Sequence, residues 1–210
     1  MFCQRDSSPL YKVQQSAIVD EVSRVYGLGQ PVLVGTHSIS DSETIAAHLD
    51  KLNLVYHILN GLQTVEEAKI VAAAGQCYAI TISTNLAGRG TDISVPARAL
   101  AVGGLHVIIA ECQLSSRMDR QLIEPCGRQG NPGTAQMFVS AEDTLIARFG
   151  TRLANAIRRE SGINGEAKTN FSATLRHLQL TAEKQQFRAR VELLWKDIGR
   201  DSLFGAAPTS

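Results

Sequence analysis

The sequence predicts an α/β fold with a mainly parallel sheet covered by helices on both faces. Three observations carry this. Short runs rich in Val and Ile alternate with segments of helical apolar spacing along the first 150 residues. The run Pro31-Val32-Leu33-Val34 is apolar without alternation, as in a strand covered on both sides. Glycine-rich turns fall between the elements, at Gly27 to Gly29, Gly88 to Gly90 and Gly127 to Gly133.

In order, Val13, Ala17, Ile18, Val22 and Val25 recur at helical spacing from Tyr11 to Tyr26, and Gly27 and Gly29 stop the helix. Residues 31–36 read as the first strand. Residues 38–52 read as an amphipathic helix opened around Ser40 and Asp41, with Ile45, Ala46 and Leu49 inward. A second strand is expected at Val55 to Leu59, and a helix at Thr64 to Ala74 with a Thr64–Glu67 capping box. Tyr78 to Ser83, Leu105 to Ala110 and Thr134 to Val139 read as further strands, with helices at Ser115 to Ile123 and Ala141 to Phe149. After Gly150 the pattern turns helical throughout. Thr151 to Glu160 is basic, residues 161–165 break it, and Phe171 to Ile198 resumes with Phe187, Val191, Leu194 and Ile198 on one stripe.

Bulk properties narrow the function. A hydrophobic content of 44% with 20% charged residues describes a soluble globular chain, and 210 residues suffice for a buried core. A net charge of +1 argues against a broadly basic nucleic-acid surface. No apolar run approaches the roughly 18 residues of a membrane span, and the first residues lack the pattern of a signal peptide. A cytoplasmic location is therefore expected. Cys3, Cys77, Cys112 and Cys126 show no C-x-x-C spacing, so free thiols are expected and a zinc site is not.

Chemistry concentrates in two segments. The first is TNLAGRGTDI, Thr84 to Ile93, directly after a β-rich run. Gly88 and Gly90 let backbone amides approach an anion, and Arg89 offers a planar fork suited to phosphate. Asp92 can accept from a ribose hydroxyl or orient that arginine. A tight turn with a surface ion pair would give the same letters. The second segment is GRQGNPG, Gly127 to Gly133, which alone is an ordinary turn. Elsewhere, His106 reads as a packed histidine within an apolar strand. Asp119, between Arg117 and Arg120, reads as part of a solvated helix face. Glu142-Asp143 reads as favouring its helix N-terminus.

Taken together, GQPVLVGTHSI (Gly29–Ile39), AGQCYAITISTNLAGRGTDI (Ala74–Ile93), GGLHVIIAE (Gly103–Glu111), SSRMDRQL (Ser115–Leu122), GRQGNPG and SAEDTLIARF (Ser140–Phe149) resemble SecA, the ATP-driven motor of bacterial protein export. The similarity is to its second RecA-like nucleotide-binding lobe. It continues weakly through RRESGINGEA and QQFRARVELLWKD, which look like the start of the SecA scaffold helix. The resemblance implies a loose N-terminus over residues 1–10, a RecA-like lobe over 11–150 and a helical extension over 151–210. It implies that Gly88, Arg89, Gly90, Thr91, Asp92, Gln121 and Gln129 approach ATP, with Arg128 as an arginine finger. Such an arginine supplies roughly a thousandfold or more in rate. It further implies a first lobe on another SecA-like chain or full-length SecA, which brings the phosphate loop, magnesium and the catalytic glutamate. The translocon and preprotein follow as partners, with a peripheral place at the inner membrane.

The departures shape the expected activity. The family reads Q-L-R-G-R-S-G-R-Q-G-D where this chain has Ile123, Glu124, Pro125 and Cys126 in the middle, so two arginines and a glycine are replaced and Arg128 remains. No G-x-x-x-x-G-K-[ST] occurs, so the chain alone is expected not to turn over ATP. Two alternatives stand beside the motor lobe: a non-catalytic SecA-like interaction module, and a helicase-type RNA-binding lobe, which the near-neutral charge and sparse aromatics disfavour.

Overall fold

The computed structural model describes residues 9–60, 64–84, 93–161, 167 and 169–204, with the backbone alone at 64–66, 129 and 197–204. Its centre is a five-stranded, wholly parallel sheet in the order β2-β3-β1-β4-β5. The strands are β1 (Val32–Thr36), β2 (His57–Leu59), β3 (Ile80–Thr84), β4 (Leu105–Ile109) and β5 (Gly133–Met137). Helices α1 (Pro9–Gly27), α2 (Ile39–Lys51), α3 (Thr64–Ala74), α4 (Ala97–Ala101) and α5 (Ser116–Ile123) connect or flank them. Helices α6 (Thr144–Phe149), α7 (Thr151–Glu160) and α8 (Ser172–Phe204) follow β5.

Both faces of the central strands β1, β3 and β4 are covered, whereas the edge strand β5 is largely exposed. Alternate residues point to opposite faces of a strand. Val32 and Val34 therefore join Ile80, Ile82 and Ile108 in a core shared with α1 and α2. Leu33, Val107 and Ile109 face the other way, into a core with Val71 and Ala74 of α3. A third cluster lies beyond the sheet, where Leu145 and Ile146 of α6 meet Leu153 and Ile157 of α7 and Leu175 and Ala182 of α8.

Several boundaries differ from the sequence reading for local reasons. Helix α1 opens at Pro9, a residue pre-set for the first helical turn. Ser38, not the Ser40/Asp41 pair, caps α2: its hydroxyl accepts from the Asp41 amide at 3.0 Å and donates to the Asp41 carboxylate at 2.7 Å. Strand β2 is confined to three residues, and Val55 is exposed. Tyr78 lies outside β3, because its positive φ of 63° breaks the extended run before Ile80. Helix α4 was not foreseen; its five residues are too few to show a period. The Thr64–Glu67 capping box rests on a Thr64 side chain outside the described residues.

Candidate functional site

Of the two glycine-rich segments, residues 85–92 lie outside the described residues, and with them Gly88, Arg89, Gly90, Thr91 and Asp92. Their flanks are well placed. Thr84 closes β3 at the carboxyl end of the sheet, in register with Thr36. Ile93 is buried in the apolar cluster that also holds Leu122, Ile123 and Cys126. Both the flank and the end of α5 therefore belong to one face of the sheet.

Helix α5 leads into the arginine segment. Ser115 caps it and accepts from the Arg117 amide. Near its end Leu122 packs over Gly35 of β1, where an added Cβ would lie 3.0 Å from the leucine methyl. The chain then descends until the Cys126 thiol reaches the Leu105 carbonyl at the start of β4, 3.7 Å away. Residues Arg128–Gly130 form a single 3-10 turn after Gly127, which takes a left-handed φ of 74°. Gly104 fixes the far side of this segment. At φ 73° it packs directly against the Pro132 carbonyl, leaving no space for a side chain. Arg128 thus precedes the amino end of β5, whereas the 85–92 segment leaves from the carboxyl end of β3. The Ile93 flank and the end of α5 share a face of the sheet, and Arg128 stands before the amino end of β5. The general preference of ligands for carboxyl ends does not describe Arg128.

Arg128 is half-buried, and its guanidinium donates to the Glu124 carboxylate at 3.0 Å, one helical turn back. The acidic residue that stands where the family has glycine is the partner of the arginine that remains. Pro125 is buried, Gln121 is exposed, and the Gln129 side chain is outside the described residues. The structure therefore brings Arg128, Glu124 and the α5 terminus together.

The opposite end of α5 holds groups that the sequence reading misplaced. Asp119 is not on a solvated face; only 6% of it is exposed. It accepts from the Gln113 amide at 3.1 Å and, in a short bond, from the Gln179 side chain of α8. Burial pushes its carboxyl upward, and the bonds from Gln113, Gln179 and Cys112 oppose that. Arg117 and Arg120 are exposed, as expected. The signal lay in spacing: Asp119 is on the same helical stripe as Leu122, Ile123 and Cys126, which face inward. Cys112, buried against Asp119, has its thiol driven strongly upward, first by burial and then by the neighbouring carboxylates of Asp119, Asp143 and Glu111. Among the described residues Cys77, Cys112 and Cys126 are free thiols.

Two further acids are structural. Asp143 is fully buried, and its carboxylate accepts from the Ser140 amide at 3.0 Å and from Gln14 at 3.3 Å. Glu111, buried at the end of β4, accepts from the Thr144 amide at 2.7 Å and so caps α6 from outside it. His106 is a core residue: Nδ1 pairs with the Thr134 hydroxyl at 2.6 Å, and Nε2 lies 3.3 Å from Glu21 without hydrogen-bond alignment. Burial is the main reason its pKa is lowered.

The model of the SecA P-loop domain matches residues 9–99 and 95–166. The chain belongs to the SecA family. Protein translocase subunit SecA of Oleidesulfovibrio alaskensis is 43% identical over 182 residues, and that of Chlamydia abortus 40% identical over 184. These alignments span 85% and 86% of this chain but 21% and 19% of the relatives. Protein translocase subunit SecA 2 of Magnetococcus marinus is 40% identical over 181 residues, 28% of its length. The chain thus spans 19–28% of the length of these SecA relatives. Among solved structures, E. coli DEAD-box protein SrmB bound to RraA superposes with a TM-score of 0.54 at 17% identity, covering 79% of this chain and 87% of that one. The yeast DEAD-box splicing factor Prp28 gives 0.50 at 19% identity, over 79% of this chain and 34% of that one. These likenesses establish the RecA-like helicase fold. Among the described residues no helix is long and apolar enough to cross a membrane.

Proposed function

We propose that residues 11–150 are the second motor lobe of a SecA-type translocase ATPase, with residues 151–210 its helical extension. The lobe closes on ATP and magnesium held by a first lobe, supplied by another SecA-like chain or by full-length SecA, and the cycle drives preprotein through the translocon at the inner membrane. Gly88 to Asp92, Gln121 and Gln129 approach the nucleotide, and Arg128 faces the γ-phosphate. The observation that carries this reading is the shared face: the Ile93 flank of one segment and the α5 end of the other lie in one apolar cluster. Catalysis of this kind is positioning and charge stabilisation, and the Ile93 flank and the α5 end on one packed face support a half-site there.

The test is to combine the chain with a purified SecA first lobe and follow phosphate release. The chain alone is expected to release none. The mixture is expected to hydrolyse ATP at a rate that falls in Asp92→Asn and Arg128→Ala. A mixture that neither associates nor hydrolyses ATP would overturn the proposal.

One observation favours a second reading, a non-catalytic interaction module. Glu124 occupies the Arg128 guanidinium, and its own charge would oppose a γ-phosphate at that place. Titration calorimetry that finds no nucleotide binding with the first lobe present, while the lobes still associate, would select it.

A further inference from the structure

Helix α8 does more than cover the lobe, because two of its side chains hold α5 at its amino end. Glu183 reaches across with one oxygen, which accepts from the Ser115 hydroxyl at 2.9 Å, the Ser116 amide at 2.9 Å and the Ser116 hydroxyl at 3.2 Å. An amide left open at a helix start is thereby satisfied by a carboxylate from another helix, and the charge also suits the helix dipole. One turn earlier Gln179 enters the buried pocket beneath α5. Its amide donates to the Asp119 carboxylate, to the Gln113 carbonyl at 3.0 Å and toward the Cys112 sulfur at 3.3 Å. The two attachments sit four residues apart on α8, on the side that faces α5.

The attached helix is short. At eight residues α5 is about 12 Å long, too short to bend between its ends. Its far end passes through the turn that holds Glu124 and Cys126, packed against the start of β4 by the Cys126 thiol, and reaches Arg128 after the left-handed Gly127. Beyond Glu183, α8 continues through residues 184–204, about 30 Å of helix. Phe187, Leu193, Leu194 and Trp195 on this part are 60–69% exposed. Displacing that outer part loads the two attachments at residues 179 and 183.

We propose that Glu183 and Gln179 are positioning residues that make α8 a lever on α5, so that moving α8 moves the Arg128 segment. Its consequence for ATP rests on the reading of Arg128 given above, while the mechanical coupling stands apart from it.

The chain carries its own reporters. Cys112 lies under Gln179 at one end of α5, Cys126 lies at the other, and Cys77, in the turn after α3, is remote in sequence from both. Alkylation of each thiol in the intact chain can be followed by mass spectrometry without nucleotide. Glu183→Ala, a change at a side chain on the surface of α8, is expected to speed labelling of Cys112 about tenfold, the scale of a lost helix cap. Cys126 is expected to accelerate with it and Cys77 to stay at the wild-type rate. Glu183→Gln, which keeps an acceptor for the Ser116 amide, should restore most of the protection. Gln179→Ala should reproduce the effect from the second attachment. Faster Cys112 with unchanged Cys126 would overturn the proposal, since the ends of α5 would then be uncoupled. Unchanged rates at both, or equal acceleration of all three thiols, would overturn it as well. Failure here leaves the Arg128 reading intact. Conversely, an Arg128→Ala chain that hydrolyses ATP normally with a first lobe would remove that reading while leaving the thiol coupling in place.

Discussion

The two ends of α5 are built differently. At its amino end a polar network is enclosed: Asp119 is buried with bonds from Gln113 and Gln179, and Glu183 satisfies the first turn. At its carboxyl end the polar groups face outward, with Gln121 exposed and Glu124 and Arg128 paired at the surface. A buried polar network is costly to disturb, whereas a surface pair contributes little to stability. One end is thus an anchor, and the other is free to be remodelled. It is the remodelled end that departs from the family pattern, at Ile123, Glu124 and Pro125.

The contrast can be broken at several points. The largest effect is expected from Gly104→Ala, which places a Cβ against the Pro132 carbonyl at a left-handed φ of 73°. A loss on the order of 3 kcal/mol should appear in chemical denaturation. This change tests whether the backbone beneath the outward end is as constrained as the anchor. Asp119→Ala comes next. It removes the acceptor of the Gln113 amide and one of the acceptors of the Gln179 side chain, and a cost of about 2 kcal/mol is expected in the same measurement.

The anchor also has a pH signature. The Glu183 carboxyl is held below its ordinary value of 4.5, first by the bond from Ser115. Its stabilisation is therefore present above pH 4.5 and is lost as pH falls through the lower folded value. Thermal melts across that acid range should fall more steeply for the wild-type chain than for Glu183→Gln. Asp119, pushed upward by burial, acts with the opposite sign: its contribution is present below its ordinary value of 3.8 and lost as pH rises through the folded value. Removing Asp119 should steepen the acid limb, so substituting both residues should flatten it less than Glu183→Gln alone. The smallest effect on stability belongs to Glu124→Gln, within about 0.5 kcal/mol for a surface pair. Its value lies elsewhere, because hydrolysis in the presence of a first lobe should rise if the Glu124 carboxylate competes with a phosphate for Arg128. Unchanged hydrolysis would leave Glu124 as a surface partner only.

The sheet was legible because β1 opens on Val32-Leu33-Val34 and β4 closes on Val107-Ile108-Ile109, apolar runs that mean cover on both faces. Val32, Val34, Ile80 and Ile82 could be placed without coordinates. Asp119 was not legible, since two flanking arginines suggested a wet face while a stripe shared with Leu122 and Cys126 took it inward. Nor was Glu111, which caps α6 from the bend after β4, 33 residues away in sequence.

The sequence by itself determined the α/β class, the order of most elements, the family and the loss of two arginines near Arg128. These follow from local spacing and from residue identities, which need no third dimension. Only the tertiary structure decided that Arg128 is paired with Glu124, that Asp119 is an anchor, and that α8 holds α5 through Gln179 and Glu183. The last two join side chains distant in sequence, whose meeting depends on how the helices pack, whereas the Glu124–Arg128 pair depends on the turn that follows α5.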